Sequence, residues 1–208
     1  MKKIKKIVHF FFELMHLKRI PRSGLTLVGI RDIDSVAEHV CAASQIAYIL
    51  GKMEKVNAER AALITLFHDN GEIRIGDANS LQKCYLNTNK GEKQAFFEQI
   101  EGLPGKSELE KMYKEFEEKN TPESIVAGDA DKIELALQAK CYLDREKNKA
   151  VQLWIDRIRC SLKTNSAKKL LKVIEKTNMN EWWLAVEEIQ KEVKRISPKE
   201  EDIKTRHH

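Results

Sequence analysis

The chain has 208 residues, 42% of them hydrophobic, a length for which one domain with a sizeable core is the default. Only nine glycines and four prolines leave few turn residues for a strand-rich fold, so the totals favour helices. Its 37 basic and 32 acidic residues give a formal charge of +5, mildly suited to an anionic ligand; no Lys/Arg stripe interleaved with aromatics suggests nucleic-acid binding.

No apolar run approaches the roughly 18 residues of a membrane span, so no membrane partner is expected. The basic start Met1–Lys6, followed by Phe10-Phe11-Phe12, has the outline of a leader peptide. Glu13 and His16 interrupt it and no small-residue cleavage site follows, so it reads as a helix of the mature chain. Four widely spaced cysteines (Cys41, Cys84, Cys141 and Cys160) form no C-x-x-C pair; Cys41 and Cys141 fall within apolar helical patterns, and the cysteines are expected to be reduced in a cytoplasmic protein.

Ile4, Ile7, Val8, Phe11, Leu14 and Met15 recur at helical spacing and predict a first helix from Lys2 to Leu17, with His9 and His16 as ordinary surface histidines. Pro21 and Gly24 break it and open an irregular connection to Asp34. Ser35-Val36-Ala37-Glu38 is a capping box, and the helix it starts is expected to stop at Gly51. Its apolar stripe, Val36, Val40, Ala43, Ile46, Ala47 and Leu50, contains His39. A third helix starts at Asn57 and runs through Ala61–Phe67 into His68-Asp69-Asn70-Gly71-Glu72. Residues 75–90 lack a period and read as a long loop. Helices are then expected over 91–101 and 107–120. Thr121-Pro122 opens another, to Leu143, that embeds Asp129 and Asp131 in an apolar pattern. The stripes of 151–193 read as further helices with no chemistry, their aromatic residues as core or oligomer contacts, and 197–208 as a disordered polar tail. The expected organisation is one unit over 1–196.

Groups such as His68, Asp69 and Glu72 at the end of an apolar helix cost several kcal/mol to desolvate unless they are paired or bind a cation. Adjacent residues point about 100° apart on a regular helix, so His68 and Asp69 converge only where it loosens, and Gly71 is the expected place. His39, His68, Asp69 and Asp131 lie on three separate helices. Their nitrogens and oxygens suit Mn, Fe, Co, Ni or Zn, with positions left for water and a substrate oxygen.

The H…HD…D pattern resembles the HD-domain metal-dependent phosphohydrolases. The words Leu17–Gly24, Ser35–His39, His68-Asp69 with Glu72 and Gly76-Asp77, and Asp129–Glu134 with Leu137-Gln138-Ala139 are similar to the 5′-deoxynucleotidase branch. The resemblance covers about Leu14 to Tyr142. It implies an all-α HD-domain helical bundle, commonly a homodimer, that releases phosphate from deoxyribonucleoside 5′-monophosphates. It makes His39, His68, Asp69 and Asp131 ligands of one divalent metal, Mn or Co first. Glu72 and Asp77 become the acidic pair that positions water and moves protons, and Arg22 the phosphate-binding arginine. Three positions depart from the pattern. Asn70-Gly71 replaces an apolar residue and alanine, Leu25 stands where tryptophan is common, and Ala78-Asn79-Ser80 lacks a threonine–proline step. Alternative substrates within this chemistry are nucleoside polyphosphates or cyclic phosphodiesters; a non-catalytic nucleotide sensor is the alternative outside it.

Overall fold

The computed structural model describes residues 1–196, so the predicted tail 197–208 lies outside the described residues. Twelve α-helices and no strand occur among them: α1 Lys2–His16, α2 Val36–Glu54, α3 Ala58–Phe67, α4 Glu72–Ile75, α5 Ser80–Lys83, α6 Thr88–Gln99, α7 Lys106–Glu118, α8 Pro122–Glu146, α9 Gln152–Ser161, α10 Asn165–Ile174, α11 Glu181–Leu184 and α12 Glu187–Ile196. The predicted capping box holds: Ser35 Oγ accepts from Glu38 N at 3.3 Å while Ser35 N donates to Glu38 Oε2 at 2.7 Å. Asn57 and Thr121 cap α3 and α8 as their side chains foretell.

The centre is the packing of α2, α3 and α8 on one another, with α9 and α10 closing on α8. One core, including Ala47, Leu50, Ala61, Val126, Ile133, Ile155 and Leu171, runs through all five helices. A second, of Phe10, Phe96, Ile100, Leu103 and Tyr113, joins α1, α6 and α7, with the Phe96 and Tyr113 rings stacked at 4.8 Å.

Three expectations need correction. Gly51 does not stop α2; it lies inside it, where a Cβ would stand 2.8 Å from Ala58 Cα, so glycine lets α2 and α3 approach. The helix ends at Lys55, in the left-handed conformation. The first helix forms as predicted; it turns Ile7, Phe10 and Leu14 inward, and leaves Ile4, Val8, Phe11, Phe12 and Met15 exposed along one stripe. The stretch 75–90 holds the short helix α5, under an Asn79–Gln82 capping box, and the first turn of α6. Cys41 lies on an exposed face of α2 rather than in its apolar stripe.

Candidate metal centre

The regular helix does give way at the dyad, by tightening rather than loosening. Beyond Phe67 the backbone continues through i→i+3 bonds, Asn70 N to Phe67 O at 3.3 Å and Glu72 N to Asp69 O at 3.0 Å. This overwound stretch turns His68 and Asp69 to the same side, with His68 Nε2 and Asp69 Oδ1 3.1 Å apart. Gly71, however, has an ordinary helical φ of −59°. It is needed because a Cβ there would lie 2.4 Å from the Glu92 carbonyl oxygen of α6. Close approach of two backbones, not softness, explains this glycine.

His39, fully buried on α2, meets the dyad: donor atoms of His39, His68 and Asp69 lie within 4.8 Å of one another. Asp131 Oδ1 of α8 comes within 3.2 Å of His39 Nε2 and 3.8 Å of His68 Nε2. The structure therefore brings all four predicted residues together.

The surroundings test whether this cluster fits a cation. His68 Nδ1 is 2.6 Å from the Thr65 carbonyl, which can only accept, so Nδ1 carries the ring proton and Nε2 presents a lone pair. His39 repeats the arrangement, with Nδ1 2.5 Å from Glu134 Oε2. Its Nε2 is buried without a hydrogen bond, although Asp131 and Asp69 oxygens stand 3.2 and 3.6 Å away. Histidines held this way through the second ring nitrogen are the usual support of metal ligands. Two imidazole lone pairs and two carboxylates aimed at one point fit a divalent cation.

Electrostatics agrees. Burial would lower His39, yet the neighbouring Asp131 and Glu134 carboxylates outweigh it and push the imidazole up to about 9. Burial likewise opposes the charge on His68, but Asp69 and Asp131 raise it. Burial would raise Asp131, but the two imidazoles hold its carboxyl well below the usual range. The cluster attracts positive charge. Asp129, the other carboxylate embedded in that apolar pattern, does something else: it is fully buried and accepts backbone N–H groups of Lys163 at 3.0 Å and Thr164 at 2.6 Å. It ties α8 to the start of α10.

Arg22 reaches the centre from the 17–34 connection, with Nη1 3.2 Å from Asp69 Oδ2 and 4.0 Å from Asp77 Oδ1. Burial works against its charge, and the carboxylates of Asp69, Asp77, Asp131 and Glu72 outweigh that. Asp77 Oδ2 accepts from Ser23 N at 2.6 Å and its carbonyl from Ser23 Oγ at 2.7 Å, so Asp77 fastens the Arg22 loop. Glu72 is buried, with Oε2 unpartnered among the described residues. Burial, then Asp69 and Asp77, raise its carboxyl well above the usual carboxylate range, and Arg22 only partly offsets them.

Beside the cluster lies a cleft of about 400 Å³, reached by Arg22, Asp77 and Asp131. Its far wall comes from α9, where Trp154, Arg157, Ile158 and Ser161 follow one helical face. Residues 151–193 thus contribute to the site, contrary to expectation. Glu134 was also missed as a functional residue. Its signal was its place three residues after Asp131, one helical turn on, facing His39.

A helical bundle with a histidine–aspartate cluster at the junction of three helices defines a class, and the HD domain family model matches residues 14–174. The chain belongs to the HD domain family. It is 30% identical over 136 residues to "5'-deoxynucleotidase HDDC2" of Danio rerio, a match covering 62% of this chain and 66% of the relative. Its human counterpart is 26% identical over 147 residues, covering 68% and 71%. The fold matches the crystal structure of PH0347 protein from Pyrococcus horikoshii with a TM-score of 0.69 and 24% identity, over 81% of this chain and 98% of that one. HD membership implies a divalent metal, and the donor atoms of His39, His68 and Asp69 are grouped closely enough to hold one.

Proposed function

We propose that this chain is a metal-dependent 5′-nucleotidase that releases phosphate from nucleoside 5′-monophosphates, deoxyribonucleotides preferred. The observation carrying this reading is the pair of imidazoles, each held through Nδ1 and each turning Nε2 toward Asp69 or Asp131, beside a cleft containing Arg22. Curated relatives named 5′-deoxynucleotidase support the reaction and the substrate class. In this reading His39, His68, Asp69 and Asp131 hold one divalent ion, manganese or cobalt before iron, nickel or zinc. Bound there, such an ion supplies Lewis-acid and water-activating chemistry.

The chain's own residues do the rest. Arg22, screened from water, binds the phosphate oxygens and neutralises charge developing on them. Glu72 sits near enough to the carboxylate cluster to hold a proton and deliver it to the departing 5′ oxygen. Asp77 orients Arg22 by anchoring its loop, and the proton falls to Glu72. Residues 1–196 act as one HD unit, with α11 and α12 added beyond the matched stretch. The exposed stripe Ile4, Val8, Phe11, Phe12 and Met15 supports a homodimer through α1. No helix among the described residues is long and apolar enough to cross a membrane, and three exposed unpaired cysteines suit the reducing cytoplasm.

The test is phosphate release from a nucleotide panel by metal-stripped protein given back Mn, Co, Zn or Mg. Deoxynucleoside monophosphates are expected to turn over with Mn or Co, and His68→Ala to abolish turnover. Glu72→Gln should cost about 10²–10⁴-fold in kcat while metal affinity is kept. Hydrolysis confined to polyphosphates or cyclic diesters would overturn the substrate; wild-type turnover in Glu72→Gln would remove its proton role.

A further inference from the structure

The cleft is more cationic than a monophosphate requires. Its carboxylates, Asp77 and Asp131, both belong to the metal end, where Ser23 and His39 engage them. Gly24, Leu25, Leu135, Trp154 and Ile158 supply an apolar stretch suited to a nucleoside. The remaining charged lining is positive: Lys83 of α5, Lys132 of α8 and Arg157 of α9. Lys83 and Arg157 are exposed at the mouth; neither forms an ion pair among the described residues, and Lys83 feels the Glu92 carboxylate only from farther away. Arg157 Nη1 donates to Ser80 Oγ at 3.0 Å, which leans its guanidinium across the mouth toward α5. Lys132 is shared with Asp129, 3.7 Å away.

A 5′-monophosphate brings its charge to Arg22 and the metal end. That leaves the mouth, drawn from three separate helices, without an anion. We propose that Lys83, Lys132 and Arg157 form a second anion subsite, and that the cleft takes nucleotides with a further phosphate on the sugar, nucleoside 3′,5′-bisphosphates being the simplest. The inference rests on the nucleotidase reading for its chemistry. Water adds to the 5′ phosphorus, the P–O5′ bond breaks, and the 5′ oxygen takes up a proton. Inorganic phosphate leaves, and the 3′-phosphate stays on the nucleoside, held at the mouth.

The experiment compares 2′-deoxyadenosine 5′-monophosphate with 2′-deoxyadenosine 3′,5′-bisphosphate on the metal-loaded full chain. The bisphosphate is expected to have a kcat/KM about tenfold higher, mostly through KM, as two or three exposed phosphate contacts together provide. Raising the salt should shrink the advantage. A Lys83→Gln/Arg157→Gln variant should bring the ratio of the two substrates to about one, and Arg157→Lys should retain the preference. Equal kcat/KM in the wild type at low salt, or a preference that survives the double variant, overturns the subsite and leaves the nucleotidase intact. Calorimetric titration with each nucleotide separates the two ideas if neither is hydrolysed. Tighter bisphosphate binding, lost in the double variant, then keeps the subsite and rejects the nucleotidase, whereas equal affinities reject the subsite.

Discussion

His39 shows how one buried side chain is specified by what stands behind it. With Glu134 on Nδ1, its ring is fixed in orientation and tautomer, and Nε2 can point only at Asp69 and Asp131. Glu134→Ala should therefore weaken metal binding about 10–100-fold while the helices remain folded. Competition with a chelator, alongside circular dichroism, measures this; unchanged affinity would mean that packing alone orients the ring. The sequence revealed His39 because a histidine inside an apolar stripe is conspicuous. It did not reveal Glu134, since a glutamate on a long helix looks like any solvated one until a facing helix is known. Asp129 and Asp131, flanking Ala130, were likewise indistinguishable: helical geometry sends one to the α10 junction and the other to the cluster.

At the scale of elements, the legible features were local and the illegible ones depended on a neighbour. Caps at Ser35, Asn57 and Thr121 are written within four residues, and each helix began where its cap required. Gly51 and Gly71 look like stops or hinges in one dimension, yet each admits another backbone, at Ala58 and Glu92. Gly71→Ala should cost about 1–3 kcal/mol of stability, the usual range for overpacking, because the carbonyl it meets is main chain and cannot swing aside. It should also lower metal affinity, since the turn it displaces carries His68 and Asp69. Denaturant unfolding with a metal titration checks both; an alanine variant as stable as the wild type would show that α6 yields freely. The short helix α5 escaped notice because four residues show no period, although Asn79 and Gln82 supplied its capping box.

For the whole molecule, composition and periodicity conveyed the helical class, while the direction of each apolar face awaited the packing. The outer stripe of α1 is the clearest case, with Phe11 56% and Phe12 71% exposed. If two copies associate through it, Phe12→Glu should convert a dimer to a monomer in analytical ultracentrifugation without lowering the melting temperature. A wild-type protein that sediments as a monomer would refute the dimer outright. The arrangement of the cleft matters over a longer span than any single assay. One wall, from Arg22 to Asp131, carries the cluster; the other, Trp154 to Ser161, comes from a helix that holds none of it. Mutations on the second wall can accumulate without disturbing the first, so descendants of such a chain can acquire new diets while inheriting the same chemistry.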